Sequence, residues 1–404
     1  SVKELPHVKV MRRFQAWDEL PVLPEGRIGI YVGSHTHFSE KQNRAIDRFC
    51  ATYDAVVICD HTSGYYGKYK LLPTLVQLQS DITSPFPPLD LMVHIGEISA
   101  ASFNDTIPAK EVWRVSEDGE LRDPFKKLTT VFQMSEEMFF LHYGKDGCNR
   151  HVLIDECREL FGEIYEQIPE LPFCNIWTAM QLSSRLPKGA LFHMGVSNTR
   201  RCWNMFQLPE SVESACNVGC CGIDGCVSTL VGASLVNPDR LCYVVVGDLT
   251  FFYDLNSLGN HHIGTNLRVM LVNNGRGTEF RLGIHHCNVF GDDADKYMAA
   301  AGHFGNKSPL LVKHYAEDLG FHYLSATTKE EFMTALSNFT NPQLSDHSMI
   351  LEVFTDSKDE SEALYLMSHI QSDAKGMVRS KLKDAVRNVA GEKGINAIKK
   401  ILKK

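Results

Sequence analysis

No stretch of the 404 residues stays apolar for the length a membrane crossing needs, and Ser1 opens a polar segment without a signal-peptide core. Basic charge is not in excess. The formal net charge of -8 argues against a general nucleic-acid binder, whose footprint would be basic. The twelve cysteines lack the spacing of a disulfide scaffold, so free thiols in a cytoplasmic protein are expected. Repeats and low-complexity tracts are absent. Neither G-x-G-x-x-G nor G-x-x-x-x-G-K-[ST] occurs, which ranks a nucleotide-binding α/β protein last. What remains, 44% hydrophobic and 22% charged residues, is ordinary for a soluble globular chain with room for two or three domains.

One stretch carries chemistry. The apolar run Cys242 to Val246 leads directly into Gly247-Asp248. A helix-length segment follows, then a second apolar run, Val269 to Val272, and the pair Asn273-Asn274. That order predicts a βαβ unit with two parallel strands ending side by side. Asp248 and Asn274 then stand at carboxyl ends of strands, where open α/β sheets bind ligands. A carboxylate and an amide oxygen suit a hard cation such as Mg²⁺, which often carries a phosphate.

Elsewhere, apolar runs alternate with helical patterns. Residues 1–25 read as a linker. Arg27 to Gly33, Ala55 to Cys59, Leu91 to Ile95 and Val112 to Val115 read as strands, with a helix from Ser39 to Thr52. The lone Gly33 is no phosphate loop, and this part is expected to be structural. The polar, Gly-containing stretch at 145–150 marks a boundary. Helices over Val152–Gln167 and Phe173–Arg185, a strand over Gly189–Gly195, and later elements at Leu310–Leu319, Phe321–Leu324, Lys329–Asn338 and Met349–Phe354 follow. The expected class is α/β: two doubly wound domains with mainly parallel sheets flanked by helices, plus a helical C-terminal tail. The central domain covers 26–148, the ligand-binding domain 149–370, and the basic helical tail 371–404.

Three further segments offer alternatives. After the strand at Gly189–Gly195, Ser197 to Arg201 form a polar strand end entering a helix. This is either an anion site at free helix-start amides or a plain N-cap by Ser197. In 217–235, glycines 219, 222, 225 and 232 allow close backbone approach to a ligand. Cys216, Cys220, Cys221 and Cys226 lack the paired spacing of a zinc site and read as small buried packing residues. His261, His262, His285, His286 and His303 form no i,i+4 ligand pair and read as exposed or substrate-facing.

Gly247-Asp248-Leu249, 26 positions before the second Asn of Asn273-Asn274-Gly275, resembles the signature of thiamine-diphosphate-dependent 2-oxoacid decarboxylases and carboligases. The preceding NVGCCGIDGCVSTLVG is similar to the menaquinone-pathway branch of that family. The likeness extends more weakly through DHTSGYYG in the first domain. It implies that Asp248, the Asn274 side chain and the Arg276 carbonyl bind Mg²⁺. Gly247, Leu249 and Thr250 would approach the cofactor diphosphate, with helix-start amides and Mg²⁺ neutralising its charge. Ile223 would wedge beneath the cofactor and bend it, and the Cys221 carbonyl would meet its aminopyrimidine. Ser197 and Arg201 would face the substrate, with Arg201, alongside Arg200, as a clamp for a 2-oxoacid carboxylate.

Two departures qualify the likeness. The pyrimidine-binding domain that supplies the family's activating glutamate is not in this sequence. Another part of a longer chain or another chain is expected to provide it, so no catalytic residue is assigned here, and a homodimer or tetramer is implied. Val218 stands where the menaquinone branch has Arg, and Val196 where it has Asn. Losing a guanidinium fork removes bidentate recognition of a carboxylate, which leaves the acceptor unnamed. The alternative to an enzyme is a scaffold that kept the fold without the chemistry.

Overall fold

The computed structural model describes residues 10–82, 86–97, 107–282, 285–296, 305 and 307–372, the side chains of 286, 292 and 294–296 excepted. The expected basic tail from 373 onward, His303 and the His286 side chain lie outside the described residues.

Two parallel sheets organise the chain. The first contains β1 (Arg12–Gln15), β2 (Ile28–Val32), β3 (Val56–Cys59), β4 (Lys70–Leu71), β5 (Leu89–Ile95), β6 (Ala109–Val115) and β7 (Leu128–Gln133), in the order β1-β7-β6-β5-β2-β3-β4. The second contains β8 (Leu191–Met194), β9 (Glu213–Cys216), β10 (Cys242–Gly247), β11 (Leu267–Asn273), β12 (His322–Ala326) and β13 (Met349–Phe354), in the order β12-β13-β11-β10-β8-β9. Every residue of β2, β3 and β11 is buried. Parallel strands covered on both faces read as near-continuous apolar runs, broken in β11 by Arg268 and Asn273, which is why the sequence exposed them.

Helices α1 (Glu40–Tyr53), α2 (Thr74–Leu78) and α3 (Glu136–Tyr143) flank the first sheet. The start of α1 is fixed locally: Ser39 and Gln42 form a reciprocal capping box, Ser39 Oγ accepting from the Gln42 amide. Helix α4 (Val152–Glu166) lies along the first sheet, with Leu153 N donating to Asp54 and Arg158 to the Lys68 carbonyl. Its far end reaches the other layer, where the Tyr165 hydroxyl donates to the Met205 carbonyl. Helices α5 (Asn175–Leu182), α6 (Asn198–Trp203), α7 (Cys226–Val236), α8 (Asp248–Tyr253), α9 (Leu311–Asp318), α10 (Lys329–Phe339) and α11 (Ser357–Ser368) complete the second layer.

Two expectations need correction. Residues 12–15, read as linker, form an edge strand paired with β7, and Phe14 stacks on Phe132 at 5.5 Å. Their partner strand was itself unmarked in the sequence, so nothing local gave the pairing away. The crossover between β10 and β11 is not one long helix. It is the six-residue α8 followed by a 3-10 turn, Leu255–Gly259. Gly33 also gains a cause: a Cβ there would stand 2.4 Å from the Glu97 carbonyl oxygen, where two strand ends converge.

The layers are clasped. The turn after β3 meets α6 and β9: His61 N donates to Asn204 Oδ1 at 3.0 Å, and Ser214 Oγ to the His61 carbonyl at 2.6 Å. His61 is 2% exposed, and burial pushes its imidazole down to about 3, so the ring is neutral. Its Nε2 lies 2.8 Å from the Phe206 carbonyl and must therefore carry the proton. On another side, Gln79 donates to the Met367 carbonyl and accepts from Ile370 N.

Candidate functional site

The second sheet changes direction between β8 and β10: the chain passes from β8 outward to β9, then to β10 and β11 on the other side. Such a switch point opens a crevice beyond the carboxyl ends of the two strands. Register fixes what lies there. Gly195 N donates to the Val245 carbonyl at 2.7 Å, so Ser197 follows the end of β8 beside the end of β10. Gly247 pairs with Val272 of β11, which sets Asp248 and Asn273-Asn274 on adjacent strand ends roughly 4.8 Å apart. Met194 pairs with Cys216, so the loop 217–225 leaves from the same edge. The fold thus gathers Ser197, Val218–Ile223, Gly247–Thr250 and Asn274–Arg276 at one edge.

Asp248 begins α8, is 2% exposed, and accepts from Leu249 N through Oδ1 at 2.8 Å. No side chain caps the start of α8. Thr250 is buried in the same turn. A Cβ added to Gly247 would meet nothing within 4 Å, so this chain's own packing does not require the glycine. Asn274 Oδ1 is buried and has no hydrogen-bond partner among the described residues. An orphaned acceptor costs about 1–3 kcal/mol unless something satisfies it. Its neighbour Asn273 does the structural work instead, donating at 2.7 Å to the buried Glu352, which also accepts from the Tyr323 hydroxyl at 2.7 Å. Carboxylate and amide oxygens on adjacent strand ends fit a hard cation carrying a phosphate.

The loop 217–225 is held from one end. Asn217 Nδ2 donates to the Gly225 carbonyl and to Thr229 Oγ1, both at 3.1 Å. The start of α7 is already occupied: Asp254 Oδ2 accepts from Ser228 N at 2.6 Å. Cys221 takes a left-handed backbone (φ 52°), and Ile223 is half-buried. Cys220 and Cys221 are exposed, which corrects their reading as buried packing residues; Cys226 is buried and Cys216 is partly buried against the core. All twelve cysteines are free thiols. His261 and His262 are exposed, and His285 is half-buried with Nδ1 accepting from Cys287 N.

Ser197 occupies the N-cap position of α6 with φ 61° and makes no capping hydrogen bond, so the plain N-cap alternative is not realised. Arg201 is not a free fork. Nη1 and Nη2 donate to Glu279 Oε2 and Oε1 at 3.0 and 2.7 Å, and Nη1 also reaches Asn198 Oδ1. Sequence reasoning missed Glu279, Asn217 and Asp254. Asp254 acts 26 positions from the helix start it caps and Glu279 lies 78 positions from Arg201, beyond any local pattern.

No family model matches the chain. Among known proteins, it is 33% identical over 263 residues to 2-succinyl-5-enolpyruvyl-6-hydroxy-3-cyclohexene-1-carboxylate synthase of Bacteroides fragilis, covering 64% of this chain and 45% of that protein. The protein of the same name from Bacteroides thetaiotaomicron is 32% identical over 391 residues, 90% of this chain and 66% of its own length. That from Christiangramia forsetii is 33% identical over 199 residues, 49% of this chain and 33% of its own. The chain thus spans about half the length of the first of these relatives.

Proposed function

The chain belongs to the thiamine-diphosphate-dependent 2-oxoacid decarboxylase and carboligase family, and from that premise we propose that it carries the diphosphate- and Mg²⁺-binding half of the cofactor site. The activity served is decarboxylation of a 2-oxoacid with carboligation to an acceptor. The observation that carries this reading is the buried, unsatisfied Oδ1 of Asn274 set by register beside Asp248. A scaffold without the chemistry would have no use for an acceptor left without a donor.

In this reading the Asp248 carboxylate, Asn274 Oδ1 and the Arg276 carbonyl hold Mg²⁺. Gly247 leaves space for the diphosphate, and the first-turn amides of α8 with the Thr250 hydroxyl point toward it. Thiamine diphosphate, when bound, supplies the electron sink for cleaving and forming carbon–carbon bonds. Ile223 supports it from the 217–225 loop, whose position Asn217 sets, and the Cys221 carbonyl orients its aminopyrimidine. The activating glutamate comes from a pyrimidine-binding domain of the same or another chain, so the working unit is a dimer or larger. Ser197 faces the substrate.

Calorimetric titration with thiamine diphosphate and Mg²⁺, with the pyrimidine-binding half supplied, tests the reading. Binding that needs Mg²⁺ and falls at least about a hundredfold in Asp248→Ala is expected, since a charged ligand group of this kind is worth about 3 kcal/mol. Binding that ignores Mg²⁺, or that survives Asp248→Ala unchanged, would leave the scaffold alternative standing.

A further inference from the structure

We infer that Glu279 is a specificity-determining residue, occupying the guanidinium fork of Arg201 so that the site admits only substrates without a carboxylate at that position. The inference rests on the reading that Ser197 and Arg201 border the substrate. The geometry is that of a carboxylate ligand already in place. Two parallel N–H···O bonds of 3.0 and 2.7 Å are the bidentate arrangement an arginine offers an anionic substrate. The pair is sheltered, with side chains 22% and 20% exposed. A competing anion would have to strip Glu279 from Arg201 and leave a carboxylate in that shelter without its partner, which opposes exchange.

Two further cations stand by this edge, Arg200 and Arg276, and each already has a partner. Asn198 takes a further donor of Arg201 at 3.3 Å. Val218, on the loop leaving the same edge, is apolar and 4% exposed. Arg200, the preceding residue on α6, acts electrostatically on Tyr31 and Cys216. Glu279 itself sits in the 3-10 turn Thr278–Arg281, which follows the strand end bearing Asn274. It therefore links the substrate edge to the segment that the cofactor reading assigns to Mg²⁺. The substrate class that fits presents no carboxylate to Arg201, so the clamp on a 2-oxoacid carboxylate expected from the sequence is closed and that carboxylate must be held elsewhere in the site.

Succinate, a plain dicarboxylate, serves as the probe. Titrated into the full chain and followed by NMR of the arginine side chains, it is expected to bind Glu279→Gln at least about tenfold more tightly than the parent. The gain should vanish in the double variant Glu279→Gln with Arg201→Gln. Parent and Glu279→Gln binding equally, or a gain that persists without Arg201, would overturn the proposal. If Glu279→Gln loses its thermal transition, Glu279→Asp, which keeps the charge and shortens the reach, is expected to give a smaller gain; a folded Glu279→Asp with none overturns it as well. In the assembled enzyme, Glu279→Gln should shift the kcat/KM ratio toward dicarboxylic 2-oxoacids. The thiamine diphosphate titration on the same variants, with the pyrimidine-binding half supplied, separates the two claims. Intact cofactor binding with no succinate gain sinks the role of Glu279, whereas a succinate gain without cofactor binding sinks the functional reading alone.

Discussion

Glu360 is a carboxyl group built into the structure where charge is costly. It lies on α11 and is 1% exposed. Its Oε1 accepts from Asn175 N and from Thr355 Oγ1, both at 2.9 Å, while Oε2 is buried without a partner. Burial pushes its pKa up from 4.5 to about 7, against the bonds from Asn175, Thr355 and Asn198 and with a small push from Asp359. The sign follows from linkage. The folded state holds the proton more tightly than the unfolded chain, so the group adds stability below about pH 4.5 and loses it as pH rises through about 7. A shift of that size corresponds to roughly 3 kcal/mol at 1.36 kcal/mol per unit.

Glu360→Gln removes the titration and keeps an oxygen for both donors. Urea unfolding from pH 4.5 to 8.5 should show the parent losing roughly 3 kcal/mol more than the variant across that range. Any stability gap between parent and variant at acid pH must close or reverse by pH 8.5. The ¹³C resonance of the Glu360 carboxyl checks the same point directly, with a midpoint near pH 7 expected. Parallel pH profiles in the two proteins, or a carboxyl titrating at its ordinary value, would refute the reasoning.

Asn273→Leu keeps the volume but leaves Glu352 with only the Tyr323 donor, and should cost about 2–3 kcal/mol by thermal unfolding; an unchanged transition would show that the pair contributes nothing. Gly33→Ala places a Cβ 2.4 Å from the Glu97 carbonyl oxygen and should cost about 1–3 kcal/mol, read from the denaturant midpoint; a neutral result would mean the strand ends separate freely.

The legible part of this fold is the part whose cause is local. Apolar runs such as Val56–Cys59, and Met349–Phe354 interrupted only by Glu352, announce buried parallel strands, and the Ser39–Gln42 capping box announces α1. The strand Arg12–Gln15 escaped because its sequence is half charged and its burial depends on Phe132, more than a hundred positions away. The same division runs through the site. Gly247-Asp248 and Asn273-Asn274 were visible because strand ends, turn glycines and oxygen donors occur together in one βαβ unit, and β10–β11 register brings them to one edge. Arg201 was visible as a cation at a helix start, but its charge state toward a ligand depends on Glu279, which only the folded chain places on its fork. A motif therefore says which residues reach the cleft, while contacts across the fold decide which of them are free to act there. For Asn274 that distinction favours a bound cation, since no described residue satisfies its Oδ1; for Arg201 it favours exclusion of a second carboxylate, since the chain has already supplied one.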